Sequence, residues 1–129
     1  MKRRAIHIES SLHDTIRIYI DQENAASILQ YVFRKTVDEE FREIRELVKN
    51  SLRNKEKYCK VAVSDKAKNV FEMRFTRNQR NDRIYCSEKT IGKRRCIIMI
   101  ELYEGKKSQS IPQKIKNRIQ TMGTYEYEY

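Results

Sequence analysis

Arginine, lysine and tyrosine side chains between Phe71 and Pro112 have the chemistry to bind and polarise a phosphate. A guanidinium presents a planar fork of donors that matches two phosphate oxygens, and a lysine adds a point charge. A tyrosine hydroxyl can exchange a proton, but it acts as a base at neutral pH only if nearby cations lower its pKa from about 10. The candidate catalytic residues are Arg74, Arg83, Lys106, Lys107, Tyr85 and Tyr103.

Two strand-like runs would position the arginines. In residues 71–75 apolar side chains alternate with Glu72 and Arg74. In residues 82–86 they alternate with Arg83 and a tyrosine. A period of two is typical of a half-buried strand, so we expect both arginines on the polar faces of adjacent strands.

A third run, residues 96–102, is apolar on both faces and follows a predicted turn at residues 91–93. Such a run is typical of a central strand that is covered on both sides. A short helix is the competing interpretation, but the isoleucine-rich content favours a strand. The three runs together predict an antiparallel meander with cations on its polar face.

Further strands are predicted on either side of the meander. Residues 3–8 and 15–20 alternate and are expected to pair with each other, and residues 58–63 also alternate. Residues 124–129 alternate tyrosine and glutamate, which predicts either an added edge strand or a flexible tail.

Three helices complete the prediction. Asp21 is expected to cap the first, which stops near Lys35, and a capping box beginning at Thr36 opens the second, which runs to about Arg53. A similar box at Ser110 opens a short basic helix. The predicted apolar stripes are Ala25, Ile28, Leu29, Val32 and Phe33 in the first helix, Val37, Phe41, Ile44, Val48 and Leu52 in the second, and Ile115, Ile119 and Met122 in the third.

These elements predict one α+β domain over residues 1–129: an N-terminal strand and a two-helix hairpin packed on an antiparallel twisted sheet, with a short C-terminal helix. No apolar run approaches the roughly 20 residues needed to cross a bilayer, and no signal peptide is recognisable. The three cysteines lack metal-ligand spacing and are expected to be reduced thiols. We therefore expect a cytoplasmic protein that needs neither a metal nor another cofactor.

The net charge of +10 is unevenly distributed along the chain. Residues 1–56 hold 11 Lys and Arg against 10 Asp and Glu, whereas residues 57–129 hold 17 against 8. The excess is therefore +1 in the first part and +9 in the second. A polyanionic partner that docks on the second part is expected, although surplus cations can also serve only solubility.

The order of these elements and three short motifs resemble the RelE/ParE/HigB superfamily of bacterial toxin–antitoxin toxins, especially its phage-type, HigB-like branch. That branch carries an aromatic-Glu-x-Arg strand, a Tyr-Arg-hydrophobic strand, and a hydrophobic strand that leads into a Lys-Lys-Thr-Gln-x-x-Pro segment and a last helix. The corresponding residues here are Phe71-Glu72-Met73-Arg74, Asp82-Arg83-Ile84-Tyr85 and Lys106-Lys107-Ser108-Gln109-Ser110-Ile111-Pro112.

The resemblance implies a microbial-RNase-like fold and a cytoplasmic toxin that cleaves mRNA, often on the ribosome, and is neutralised by an antitoxin protein. Arg83 corresponds most directly to the family's phosphate-binding arginine. RNA scission needs a base for the 2′-hydroxyl, a cation for the phosphorane and an acid for the leaving oxygen. The family uses Tyr, His or Lys as acid and base, but this chain has no histidine after His13. A sheet tyrosine, or one at 125, 127 or 129, is the expected substitute.

Five more cations are expected to contact phosphates or ribosomal RNA: Arg77, Arg80, Lys93, Arg94 and Arg95. Each candidate also has a structural interpretation. Arg74 and Arg83 can pair across strands with Glu72 and Glu88, the paired lysines can form an ordinary charged turn, and the tyrosines can simply pack on the sheet.

Three functions are therefore open from the sequence: an mRNA-cleaving toxin, a ParE-like toxin that inhibits DNA gyrase, and a basic RNA-binding module without catalysis. The placement of the cations favours the first over the second. The missing histidine keeps the third open.

The charge asymmetry predicts that RNA binding weakens steeply between low and moderate salt. Each Lys or Arg contact with a phosphate releases counterions, so the logarithm of the binding constant falls linearly with the logarithm of the salt concentration. Filter binding of single-stranded RNA across a salt series measures the slope. A flat dependence would contradict a phosphate-dominated surface.

Overall fold

The structure is a computed structural model that describes residues 2–51, 56–61, 69–105 and 112–129, which form an α+β fold. In these residues seven strands form one mixed sheet in the order β3-β4-β5-β6-β2-β1-β7, accompanied by three α-helices. The strands are β1 (Lys2–Ser10), β2 (Ile16–Asp21), β3 (Tyr58–Lys60), β4 (Val70–Phe75), β5 (Asp82–Ile91), β6 (Arg94–Tyr103) and β7 (Glu126–Glu128). The helices are α1 (Ala25–Val32), α2 (Asp38–Lys49) and α3 (Gln113–Met122).

The predicted meander is confirmed, because β4 pairs antiparallel with β5 and β5 pairs antiparallel with β6. Residues 96–102 are a strand rather than a helix. The prediction of a wholly antiparallel sheet is wrong. The chain leaves β2 through the two helices and returns through the meander, so that β2 and β6 run parallel at the centre. β7 also runs parallel to its neighbour β1.

Each face of the sheet is covered by helices. The residues of α1 and α2 pack on one face with Ile18, Ile97 and Met99, and those of α3 pack on the other with Ile98 and Ile100. Consecutive residues of β6 therefore enter opposite cores, which explains why this strand is apolar on both faces.

The first helix begins as predicted but ends earlier. The Asp21 carboxylate accepts a hydrogen bond from the Glu23 amide at 2.8 Å and caps a 3₁₀ turn, Gln22–Asn24, that leads into α1. The expected stripe residue Phe33 lies beyond the helix end and is 69% exposed. Tyr31 is buried in its place, and its hydroxyl donates to Asp82 at 2.6 Å.

The predicted capping box of the second helix is wrong. α2 begins at Asp38 with Val37 at the N-cap and has no side-chain cap. The first turn instead buries Glu40, whose carboxylate accepts hydrogen bonds from Lys57 Nζ at 2.7 Å and from the Thr76 amide at 2.9 Å. This carboxylate joins the helix to the end of β4, and the helix ends at Lys49 rather than near residue 53. Leu52 lies outside the described residues.

The C-terminal predictions are largely confirmed. α3 ends at Met122 with Gly123 at its C-cap, and its stripe residues are buried. Of the two interpretations of residues 124–129, the edge strand is right, because β7 pairs with β1. Residues 58–60 of the 58–63 run pair with β4 as a strand, whereas residues 62 and 63 and Ser110 of the second capping box lie outside the described residues.

Two of the three cysteines, Cys86 and Cys96, are buried, and all three are free thiols. None of the helices in the described ranges is long and apolar enough to cross a membrane. The same ranges contain no cluster of His, Cys, Asp and Glu suited to a metal ion.

Glu40 predicts an acid-sensitive contribution to stability. Burial alone would raise its pKa, but hydrogen bonds from Lys57 and the Thr76 amide outweigh burial, so the pKa of Glu40 is lowered. Its stabilisation is therefore complete above the ordinary glutamate pKa and is lost as pH falls through the lower folded value. Glu40→Gln is expected to lower the free energy of unfolding by about 3 kcal/mol at pH 7.

Urea titrations at pH 7 and pH 3 check this, because the difference between the native chain and Glu40→Gln should shrink at the lower pH. Glu39→Gln is the matched control: its side chain is 72% exposed on the same helical turn. It should stay within about 0.5 kcal/mol of the native chain. A pH-independent difference for Glu40→Gln would contradict the assignment.

Candidate functional site

Three of the candidate residues form a row across the meander. Arg74 on β4 lies opposite Arg83 on β5, and Arg83 lies opposite Tyr103 on β6. Tyr85 belongs to the adjacent row, between Glu72 and Glu101. The structure thus brings together four of the six predicted catalytic residues on the face that carries α3. We call these six side chains in two rows the Arg–Tyr cluster: Glu72, Arg74, Arg83, Tyr85, Glu101 and Tyr103.

A β-bulge brings Tyr103 to this face. The pairing of β5 with β6 shifts register between Tyr85 and Cys86, which leaves Ile100 as an extra residue in β6. Strict alternation from Ile97 and Met99, which face α1 and α2, would have put Tyr103 on that side. The bulge turns Tyr103 toward Arg83 instead.

Glu72 is the centre of the cluster. It is only 3% exposed, and its Oε1 lies 2.6 Å from Arg74 Nε and 3.6 Å from Arg83 Nε. The sequence interpretation treated this carboxylate only as a possible ion-pair partner of the arginines and missed it as a functional candidate. The F-E-x-R alternation was the available signal, since it places Glu72 on the face of Arg74.

Glu88, the other proposed partner of these arginines, is engaged elsewhere. It accepts a hydrogen bond from the Tyr58 hydroxyl at 2.6 Å and pairs with Arg95 at 3.3 Å. Both cluster arginines therefore lie beside the Glu72 carboxylate.

Arg83 is buried yet keeps unused hydrogen-bonding capacity. The residue is 7% exposed, and its Nη1 donates to the Asp82 carbonyl at 3.2 Å. Its Nε has no hydrogen-bond partner among the described residues, because 3.6 Å to Glu72 is too long for a hydrogen bond. A buried guanidinium with a free N–H is suited to an incoming anion.

Tyr85 is also buried without a hydrogen-bond partner. The residue is 1% exposed, and its hydroxyl finds no acceptor or donor in the described part of the chain. Burial, followed by the charge of Glu72, raises the pKa of Tyr85 to about 12. A base would need a lowered pKa, so this environment suits a hydrogen-bond donor or a general acid, not the base.

Access to the cluster is graded. The Arg74 side chain is 34% exposed and Tyr103 is half-buried, whereas Arg83 and Tyr85 lie beneath them. Arg118 of α3 forms an ion pair with Glu101 and joins the helix to the second row. Lys106 and Lys107 lie outside the described residues, so their place relative to the cluster remains a prediction.

The five cations predicted to contact RNA lie at the two ends of the meander, and four of them pair with carboxylates. Arg77 pairs with Glu43 and Arg80 donates to the Thr36 carbonyl at 2.7 Å, because the turn after β4 lies against the acidic first turns of α2. Arg80 thus makes internal contacts in this structure, and its expected contact with RNA stays a prediction.

At the far end of the meander, Arg94 pairs with Asp14 at 2.7 Å and Arg95 pairs with Glu88. Lys93 is exposed at the turn and has no ion pair within the described ranges. Of these three residues, Lys93 is therefore the one most available to contact a phosphate.

No known protein family, no curated protein and no solved structure matches this chain. The class defined by the coordinates is therefore the α+β fold with a mixed sheet. The resemblance to the toxin superfamily continues to rest on the motifs quoted above.

The unpartnered hydroxyl of Tyr85 predicts an unusual response to its removal. Tyr85→Phe eliminates a buried polar group that has no hydrogen bond among the described residues. The free energy of unfolding should therefore stay the same or rise by up to about 1 kcal/mol. Tyr31→Phe is the matched control, since that buried hydroxyl donates to Asp82. It should lose about 1–2 kcal/mol.

Urea denaturation of both variants at pH 7 distinguishes them. An equal loss of stability in the two variants would mean that the Tyr85 hydroxyl is satisfied in the folded protein, and the assignment of a free buried donor would be wrong.

Proposed function

We propose that this chain is the toxin of a toxin–antitoxin pair and acts as a metal-independent endoribonuclease on mRNA, with the Arg–Tyr cluster as its site. The observation that carries the proposal is a pair of buried donors, Arg83 Nε and the Tyr85 hydroxyl, that lack a hydrogen-bond partner among the described residues and lie beside the partly exposed Arg74. Donors held in a poorly solvated place and aimed at developing negative charge are the usual way to stabilise a phosphorane.

The first step is binding of the scissile phosphate. Arg74 and Arg83 exchange part of their pairing with Glu72 for the phosphate oxygens, and they bind these oxygens more strongly as the monoanionic phosphodiester becomes a dianionic phosphorane. The exchange releases Glu72, which lies 2.6 Å from Arg74 before RNA binds. The freed carboxylate then accepts the proton of the 2′-hydroxyl.

The chemical step follows from these positions. The 2′-oxygen attacks phosphorus as Glu72 takes its proton, the phosphorus–5′-oxygen bond breaks, and Tyr103 gives a proton to the leaving oxygen. Tyr85 stays protonated, in keeping with its raised pKa, and donates a hydrogen bond to the phosphorane. The products are a 2′,3′-cyclic phosphate and a 5′-hydroxyl. Glu72 thus takes the role of base that sequence reasoning gave to a tyrosine.

A second function, an RNA-binding module without catalysis, is favoured by one observation. Glu72, Arg83 and Tyr85 are all buried, which is also the arrangement of a structural ion-pair cluster. The ParE-like gyrase inhibitor is the remaining alternative, and it would leave RNA intact.

Cleavage assays with cluster variants test the proposal. Primer extension is carried out on two samples: mRNA that is being translated on ribosomes, and free mRNA in a solution that contains EDTA. Both should show cuts by the native chain. Arg83→Ala and Glu72→Gln are each expected to slow cleavage by about 100-fold or more, since they remove a phosphorane contact and the base. Tyr85→Phe should slow it by about tenfold, the loss of one donor.

Lys35→Ala is the matched control, because it removes an exposed cation between α1 and α2, on the side of the sheet opposite α3. It should cleave at the native rate. Circular dichroism establishes that each variant is folded, and growth arrest on induction, with and without co-expression of the neighbouring reading frame, reports toxicity and its neutralisation. Unchanged cleavage by folded Arg83→Ala would remove Arg83 from the site. Salt-dependent binding without cleavage by the native chain would favour the binding module.

A further inference from the structure

A second feature of the α3-bearing face is a cavity of about 340 Å³ at the end of the meander away from the Arg–Tyr cluster. Ser87 and Lys89 of β5 line one side, and the end of α3 and the tyrosines of residues 124–129 line the other. Ile98 of β6 is buried beneath it. Its volume is near the lower end of small-molecule pockets, which suits one nucleoside better than a longer ligand. We call it the tyrosine cavity.

The aromatic wall of the tyrosine cavity is held in place before any ligand binds. The Tyr127 hydroxyl donates to Asp21 at 2.6 Å, and the Tyr125 ring lies 4.3 Å beneath the Arg3 guanidinium. The Tyr129 ring meets Tyr19 edge-on at 5.0 Å and remains 47% exposed. Tyr129 therefore offers a supported aromatic surface that is still open to a stacking partner.

The charge at the cavity favours an anion. Glu88 lines it, but this carboxylate is already occupied by Arg95 and the Tyr58 hydroxyl. Lys89 is exposed and has no ion pair within the described part of the chain. An open ring next to an unpaired ammonium matches a ligand that has a flat aromatic ring and a phosphate.

The tyrosine cavity and the Arg–Tyr cluster lie on one line along β5. Arg83, Tyr85, Ser87 and Lys89 alternate onto the same face, because their partners on β6 all belong to the α3 side. The separation of Arg83 from Lys89 is roughly 20 Å at about 3.3 Å per residue. A short single strand of RNA can therefore touch both places at once.

We propose that the tyrosine cavity binds one nucleotide of single-stranded RNA, with its base on the Tyr129 ring and its phosphate on Lys89. The link to RNA rests on the proposed function, whereas binding of a single nucleotide does not depend on cleavage. The cavity thereby acts as a subsite that sets how a strand lies relative to the cluster.

Calorimetric titration with single nucleotides tests the subsite. AMP and UMP should bind the native chain more tightly than adenosine, which lacks the phosphate, and than inorganic phosphate, which lacks the base. Tyr129→Ala should weaken AMP binding by about tenfold through the loss of stacking, while Tyr129→Phe keeps the ring and the affinity. Lys89→Ala should remove the preference for AMP over adenosine. Lys35→Ala, which removes an exposed cation on the opposite side of the sheet, should change nothing.

The outcomes separate this inference from the proposed function. AMP binding that survives in Arg83→Ala and Glu72→Gln locates the nucleotide away from the cluster, as inferred. Binding of AMP by a chain that does not cleave RNA would overturn the nuclease and leave the subsite intact. The subsite is wrong if AMP does not bind at millimolar concentration, or if binding is unaffected by both Tyr129→Ala and Lys89→Ala, even when the chain cleaves RNA.

Discussion

The pairing register of β5 decides which side chains of this protein can meet. β5 lies between β4 and β6, so its register against both neighbours brings Arg74, Arg83 and Tyr103 into one row. A slip by one residue on either side would turn a whole strand over and send its polar side chains into the opposite core. The constraint is strong because both faces of the sheet at β6 are buried.

The Arg–Tyr cluster that this register brings together lowers the stability of the fold, because it buries charged groups, and the same groups are able to do chemistry. A buried carboxylate costs several kcal/mol unless cations and hydrogen bonds compensate it. Glu72 is compensated by two arginines, but Arg83 and Tyr85 each leave a donor unused. The buried Glu40 carboxylate is compensated more completely, by Lys57, Arg80 and two backbone amides. The contrast between these two carboxylates is the physical reason to place function at the first.

Much of the architecture follows from periodicity. The alternating runs predict the meander and the first two strands because each of those strands has a distinct inner and outer face. No alternation pattern in the sequence predicts the parallel pairing of β2 with β6. This pairing depends on where the chain re-enters the sheet after α1 and α2. The capping box predicted at Thr36–Glu39 does not form. The contact that fixes the start of α2 is made instead by Glu40, whose carboxylate accepts a hydrogen bond from the Thr76 amide at the end of β4.

The candidate site was predicted in part for the same reason. Alternation assigns Arg74 and Arg83 to one face, and the structure agrees. It cannot anticipate the bulge at Ile100, which brings Tyr103 beside Arg83. Nor can it tell a free cation from a paired one, since the acidic partners of Arg77, Arg80 and Arg94 come from residues more than 30 positions away.

Pairing also refines what the net charge means. A positive excess of nine in residues 57–129 invites the picture of a uniformly basic surface. Many of those cations are bound to carboxylates of the first 56 residues, as Arg77, Arg80 and Arg94 are. Among the described residues, pairing is incomplete at Arg83 and at exposed lysines such as Lys89 and Lys93. Two of these three lie on the α3-bearing face of β5, and a strand bound there would follow β5 from the Arg–Tyr cluster to the tyrosine cavity.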